Sequence, residues 1–116
     1  MRLHKCRNVE NYLIEENMID ERRIWCYAQI KVSVPSRKVY GLVLVCVKCG
    51  ELFIYNTEYN STKLELFYSC YLNDMTGVSV EKRMLTTRLS FADNSDSFIL
   101  DMDDWKRFSG VFKGEV

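Results

Sequence analysis

Apolar and polar positions along this chain change period twice. Within residues 8–17, Val9, Tyr12 and Leu13 recur at helical spacing while Glu10, Glu15 and Glu16 fall elsewhere, which predicts a short amphipathic helix. A helix of barely three turns is marginal alone in water, so it must pack on the rest of the chain. From Ile24 the period drops to two. Ile30, Val32 and Val34 point one way and Gln29, Lys31 and Ser33 the other, predicting a strand that Pro35 ends. Residues 40–47 are an almost unbroken apolar run with β-branched valine at alternate positions, the pattern of a strand covered on both faces. Lys48, Cys49 and Gly50 turn the chain and residues 51–55 return it, a hairpin in which Gly50 supplies a positive φ.

A polar connection spans residues 56–63, and residues 64–72 are aromatic-rich and hold a short strand. After a turn at residues 74–77, residues 78–82 and 84–91 alternate as strands. Residues 93–96 are a strong turn signal because Asx side chains bond their own backbone, and residues 97–100 give a last strand. In the tail Trp105, Phe108 and Phe112 fall at i, i+3 and i+7, predicting a helix with one aromatic face. Asp103 or Asp104 suits its start, and Lys113 and Gly114 suit its end. Gly110 inside it costs about 1 kcal/mol relative to alanine. With no repeat or linker, the expected organisation is a leader at residues 1–20 and one domain at residues 21–116. The fold class read from this order is mostly β with a terminal α: a small antiparallel barrel or curved sandwich of about seven strands, closed by a C-terminal helix and preceded by a short N-terminal one.

Composition narrows the classes further. At 116 residues and 47% hydrophobic content the chain can bury a core, which excludes disorder. No apolar run approaches the ~20 residues of a spanning helix. Sixteen basic side chains balance sixteen acidic ones, so no global field attracts nucleic acid, and no nucleic-acid partner is expected. The balance is uneven along the chain. Residues 1–48 carry nine basic and five acidic groups, residues 49–116 seven basic and eleven acidic. The N-terminal residues 1–6 lack the apolar core of a secretory signal, so a cytoplasmic location is expected, with thiols reduced.

Four pieces of this pattern resemble the pleckstrin-homology-like superfamily, including its GRAM-like and bacterial members. A strand ending near Lys31 leads into Tyr40-Gly41-Leu42-Val43-Leu44-Val45, similar to the family's glycine-started second strand. Glu51-Leu52-Phe53-Ile54-Tyr55 looks like its third strand, and residues 72–80 look like the lead into its fifth. Trp105 looks like the tryptophan of the family's closing helix, with Phe108 and Phe112 beside it as structural residues. Together the pieces cover roughly residues 20–113, and the resemblance implies the barrel and its helical plug.

Family members that bind phosphoinositides use a lysine late in the first strand and a basic pair spaced by one residue on the second. Lys31 matches the first position. Arg37 and Lys38 are adjacent, and the residue two beyond Arg37 is Val39, so the second pattern is not met. Lys31, Arg37, Lys38 and Lys48 are still the candidate lipid- or anion-binding set. A solvated hairpin rim is the plainer reading of all four. Cys46-Val47-Lys48-Cys49-Gly50 has the form of half a zinc knuckle, but Cys6, Cys26 and Cys70 are scattered and offer no second pair. His4 is the one histidine, Asp103 and Asp104 read as a helix cap, and no phosphate-binding loop or zinc-protease motif occurs. Phe67, Tyr68 and Tyr71 read as core and rim rather than as a stacking platform for bases.

The expected function is a non-enzymatic interaction module without cofactor, binding a protein or peptide partner or a second copy of itself in a homo-oligomer. Peripheral binding of anionic phospholipid through the hairpin between Lys31 and Lys48 is the second reading. A zinc-stabilised module using Cys46 and Cys49 is the third.

Overall fold

The computed structural model describes residues 9–32, 40–57 and 64–112. Arg37 and Lys38, with Pro35, His4, Cys6, Lys113 and Gly114, lie outside the described residues. The first element, α1 (Val9–Glu15), buries Val9 and Leu13, one turn apart on one face. It ends in a Schellman arrangement. Asn17 takes the left-handed conformation at φ 57. The Met18 N–H then reaches back to the Leu13 carbonyl at 2.8 Å, and the Asn17 N–H to that of Ile14 at 3.0 Å. Met18 and Leu13 meet in the same apolar cluster, the contact that accompanies this cap.

Seven strands follow: β1 (Ile24–Val32), β2 (Tyr40–Lys48), β3 (Glu51–Asn56), β4 (Glu65–Tyr71), β5 (Thr76–Lys82), β6 (Thr87–Asp93) and β7 (Asp96–Met102). They form one curled antiparallel sheet in the order β4-β3-β2-β1-β7-β6-β5. β1 holds the middle, with its first eight residues paired to β2 and its last five to β7. The concave side gathers the main core, and period-two alternation fills it. Ile24, Cys26, Ala28 and Ile30 of β1 meet Val43, Val45 and Val47 of β2, Leu89 and Phe91 of β6, and Phe98, Leu100 and Met102 of β7.

A second cluster lies on the convex side, where Val9, Leu13 and Ile19 cover Leu44 and Cys46 of β2. This accounts for the unbroken apolar run in β2, since its two alternating rows meet different layers. It also shows why a helix too short to stand alone persists: its apolar stripe is buried against the sheet.

Turn chemistry sets the register. Cys49 and Gly50 both have positive φ, 51 and 78, the two-residue geometry whose twist matches that of the flanking strands. Asn94, at φ 56, turns β6 into β7 and leaves Asp93 opposite Asp96. The β5–β6 register shifts between Thr76 and Ser79, where Gly77 sits at φ 59 in a bulge. The strand expected at residues 84–91 begins only at Thr87, and Met84 and Leu85 occupy the turn before it.

One expectation is corrected. Trp105, Phe108 and Phe112 do not lie on a terminal α-helix. Trp105–Phe108 is a four-residue 3₁₀ turn, followed by a reversal at Gly110, whose φ is 79. Asp104, at the N-cap position, makes no side-chain cap hydrogen bond, and its carboxylate accepts from the Arg107 side chain instead. The aromatic cluster forms all the same. The three rings are near-parallel with centroids 5.7–6.2 Å apart, and Phe108 and Phe112 are buried. Spacing that suggested a helix face is satisfied by a compact turn that faces the core.

Candidate functional site

β4 and β5 are the two edges of the sheet. Across the mouth between them, Tyr68 of β4 packs on Phe98 at 4.6 Å between ring centroids, and its hydroxyl donates to the buried Asp93 carboxylate. β4 is thereby tied to the β6–β7 end of the sheet. Burial and the Asp93 hydrogen bond push the Tyr68 phenol well above its ordinary value.

The β5 edge differs because a groove of about 800 Å³ runs beside it, between the β5–β6 hairpin and the C-terminal turn. Val80, Lys82 and Thr87 form one wall, and Trp105, Lys106 and Ser109 the other. Asp103 and Asp104 also line it. Val80 and Trp105 offer half-buried apolar surface, and Lys82 and Lys106 are exposed cations.

A polar network fixes the C-terminal wall. The Asp103 N–H donates to the Tyr27 carbonyl at 3.1 Å, extending the β7–β1 ladder past its last pair. The Arg107 guanidinium donates to Glu10 Oε1 at 2.7 Å, to Asp104 Oδ2 at 3.1 Å and to the Arg23 carbonyl at 3.2 Å, and lies 5.0 Å from the Trp25 ring centroid. Trp25 Nε1 donates to the same Glu10 oxygen at 2.8 Å. The Trp25 and Arg107 hydrogen bonds hold the Glu10 carboxyl below the usual carboxylate range.

A smaller cavity of about 290 Å³ opens behind this network, lined by Trp25, Cys26, Tyr27, Asp103, Asp104 and Arg107. Burial raises the Asp103 carboxyl and pushes the Cys26 thiol up to about 12. Burial likewise raises the Cys46 thiol, and takes that of Cys70 to about 12. All three are thiols at neutral pH and supply no thiolate nucleophile.

Of the four candidate cations, the two among the described residues, Lys31 and Lys48, do not share a site. The register sets Lys31 opposite Tyr40 and Ile24 opposite Val47, so Lys31 and Lys48 lie at opposite ends of the β1–β2 ladder. That is roughly 25 Å at ~3.3 Å per residue. Lys31 is exposed. Lys48 donates from Nζ to the Asn17 carbonyl at 2.7 Å, where a cation completes the end of α1. The two cysteines of the half-knuckle are also parted by burial. Cys46 is fully buried beneath α1, while Cys49 is exposed at the turn, its N–H donating to Asp20 Oδ2 at 3.2 Å. Among the described residues no three His, Cys, Asp or Glu side chains are gathered in metal-binding geometry. Asp101 is taken by Arg88, at 2.8 and 3.1 Å.

Sequence pattern did not single out the groove. Val80, Thr87, Lys106 and Ser109 come from three separate segments, and only the curl of the sheet brings them together. Met84 and Leu85 did leave a signal: two adjacent apolar residues between pairs of polar ones fit a period of neither two nor 3.6. No protein-family model matches this chain, and no curated protein matches it in sequence.

Proposed function

We propose that this protein is a non-enzymatic interaction module, built on the pleckstrin-homology-like plan, that takes an extended peptide along the edge of β5. The observation that carries the reading is the groove beside that edge, with Trp105 as its far wall. An edge strand offers unpaired N–H and C=O groups to an incoming strand, which supplies affinity, and a flanking groove reads alternate side chains, which supplies specificity. Val80 and Trp105 suit an apolar side chain of the peptide, and Lys82 and Lys106 suit an acidic neighbour. The strand order, with β1 between β2 and β7, and the aromatic segment under the concave face support the pleckstrin-homology-like plan; the closing α-helix of that plan is here a 3₁₀ turn. Among the described residues no helix is long and apolar enough to cross a membrane.

The test is selection of displayed random peptides on the full chain, followed by an amide-shift titration with the peptides recovered. Peptides that shift residues 76–82 together with the Trp105 indole are the expected result. Peptides that shift only the β4 edge or the convex face overturn the assignment of the groove, and concentration-dependent shifts without peptide point to a second copy of the chain as the occupant.

A further inference from the structure

Met84 and Leu85 are the most exposed large apolar side chains among the described residues, at 96% and 88%. They stand at the apex of the β5–β6 hairpin, and the turn is closed by the Arg83 N–H donating to the Thr86 carbonyl at 2.9 Å. Neither side chain belongs to the core clusters, so folding gives no reason for two apolar groups to be held in water at this point. Directly behind them Lys82 and Arg83 are exposed, and from Lys82 to Arg88 the chain carries three cations and no acid. Two of these cations also hold acids on neighbouring positions, Arg83 with Glu81 at 2.9 Å and Arg88 with Asp101 at 2.8 Å.

We propose that this hairpin tip is a membrane-interface anchor, with Met84 and Leu85 entering the headgroup–acyl boundary of an anionic bilayer while Lys82 and Arg83 meet the lipid phosphates. Apolar apex and cationic shoulder follow each other in the order in which a bilayer presents acyl chains and phosphates. Shape favours lipid over a folded protein. A protein interface of ordinary stability buries about 800 Å² on each partner, far more than two side chains on a convex tip supply, whereas a bilayer surrounds an inserted tip on every side. This surface is distinct from the separated cations Lys31 and Lys48, and it shares only Lys82 with the peptide groove beside β5.

The test is co-sedimentation of the full chain with extruded vesicles of phosphatidylcholine alone and of equal parts phosphatidylcholine and phosphatidylserine. The chain is expected to sediment with the anionic vesicles and to be released by salt. The double substitution Met84→Ser and Leu85→Ser, at positions already in solvent, leaves the melting temperature within about 2 °C and lowers the partition coefficient about tenfold or more. Lys82→Ala lowers partition only where phosphatidylserine is present. Wild-type protein remaining in the supernatant with both vesicles overturns the proposal, and so does a double-serine variant that partitions like the wild type. Loss of peptide-induced shifts in the double-serine variant, without vesicle binding by the wild type, assigns the tip to the peptide site and overturns the lipid reading while leaving the groove intact.

Discussion

Arg107 and Glu10, 97 positions apart, meet at 2.7 Å and join the C-terminal turn to the N-terminal helix across the start of β1. The pair does more than an isolated surface bridge. Glu10 also accepts from the Trp25 indole, and Arg107 lies near the face of that indole. Arg107→Ala is expected to cost about 1 kcal/mol, because the pair is partly exposed and solvent screens it. Urea unfolding measures this. The lowered Glu10 pKa fixes the sign of the pH effect: its contribution is present above the ordinary carboxylate value and is lost as pH falls through the folded one. Glu10→Gln should therefore lower stability at pH 7 and flatten the decline between pH 5 and pH 3. A decline of unchanged slope in Glu10→Gln would show that the pair does not couple the two ends of the chain.

Burial ranks the aromatic cluster in a way that spacing does not. Phe108 is fully buried and Trp105 only half-buried, although the resemblance to the pleckstrin-homology-like family implied Trp105 as the plug. Phe108→Ala is expected to cost about 3–5 kcal/mol and Trp105→Ala about 2 kcal/mol. Denaturant unfolding of the two variants decides the order, and the reverse order contradicts the packing described above.

Cys49 occupies a left-handed position that asparagine adopts more readily, ahead of a glycine that needs the same conformation. Cys49→Asn is expected to raise stability by about 0.5–1 kcal/mol, seen as a rise of a few degrees in melting temperature. The same residue is the exposed thiol among the described cysteines. In a native-state thiol assay, Cys49→Ser should remove one fast-reacting group and Cys46→Ser none. Equal loss from both variants would mean that Cys46 is reachable and that the half-knuckle can open.

Tyr68 bridges the mouth of the sheet through Asp93, and Tyr68→Phe leaves a buried carboxylate short of one donor. A loss of about 1–2 kcal/mol is expected. The Tyr68 phenol is pushed up by burial and by Asp93, and that of Tyr55 reaches about 12 through burial. A raised folded value means that the contribution is complete below the unfolded tyrosine value and is lost as pH rises above it. Stability should fall steeply above pH 10, with tyrosinate absorbance from these two residues appearing only as the chain unfolds. Titration of every tyrosine near pH 10 in the folded protein would contradict the burial of Tyr68.

Period and turn chemistry made most of the sheet legible in advance. Alternation in β1, the doubly apolar run of β2, the Cys49–Gly50 turn and the Asp93–Asp96 turn all follow from side-chain direction and local backbone preference, which the sequence carries residue by residue. The aromatic tail shows where that reading stops. Trp105, Phe108 and Phe112 announce a common apolar face, but an α-helix also needs caps and a tolerant interior. Gly110 and the diversion of Asp104 to Arg107 turn the segment into a 3₁₀ turn that buries the same rings. Local pattern determined which residues are apolar neighbours, and tertiary packing chose the backbone that brings them together.

The distribution of charge divides in the same way. The sequence by itself determined that cations concentrate in the first part of the chain and acids in the second. Which of them form a surface depended on strand register, which set Lys31 and Lys48 at opposite ends of one ladder, gave Lys48 to the end of α1 and closed Arg88 on Asp101. The groove beside β5 and the Met84–Leu85 tip belong wholly to the tertiary level. One is assembled from segments that meet only when the sheet curls, and the other is apolar sequence that the hairpin turn holds outside the core.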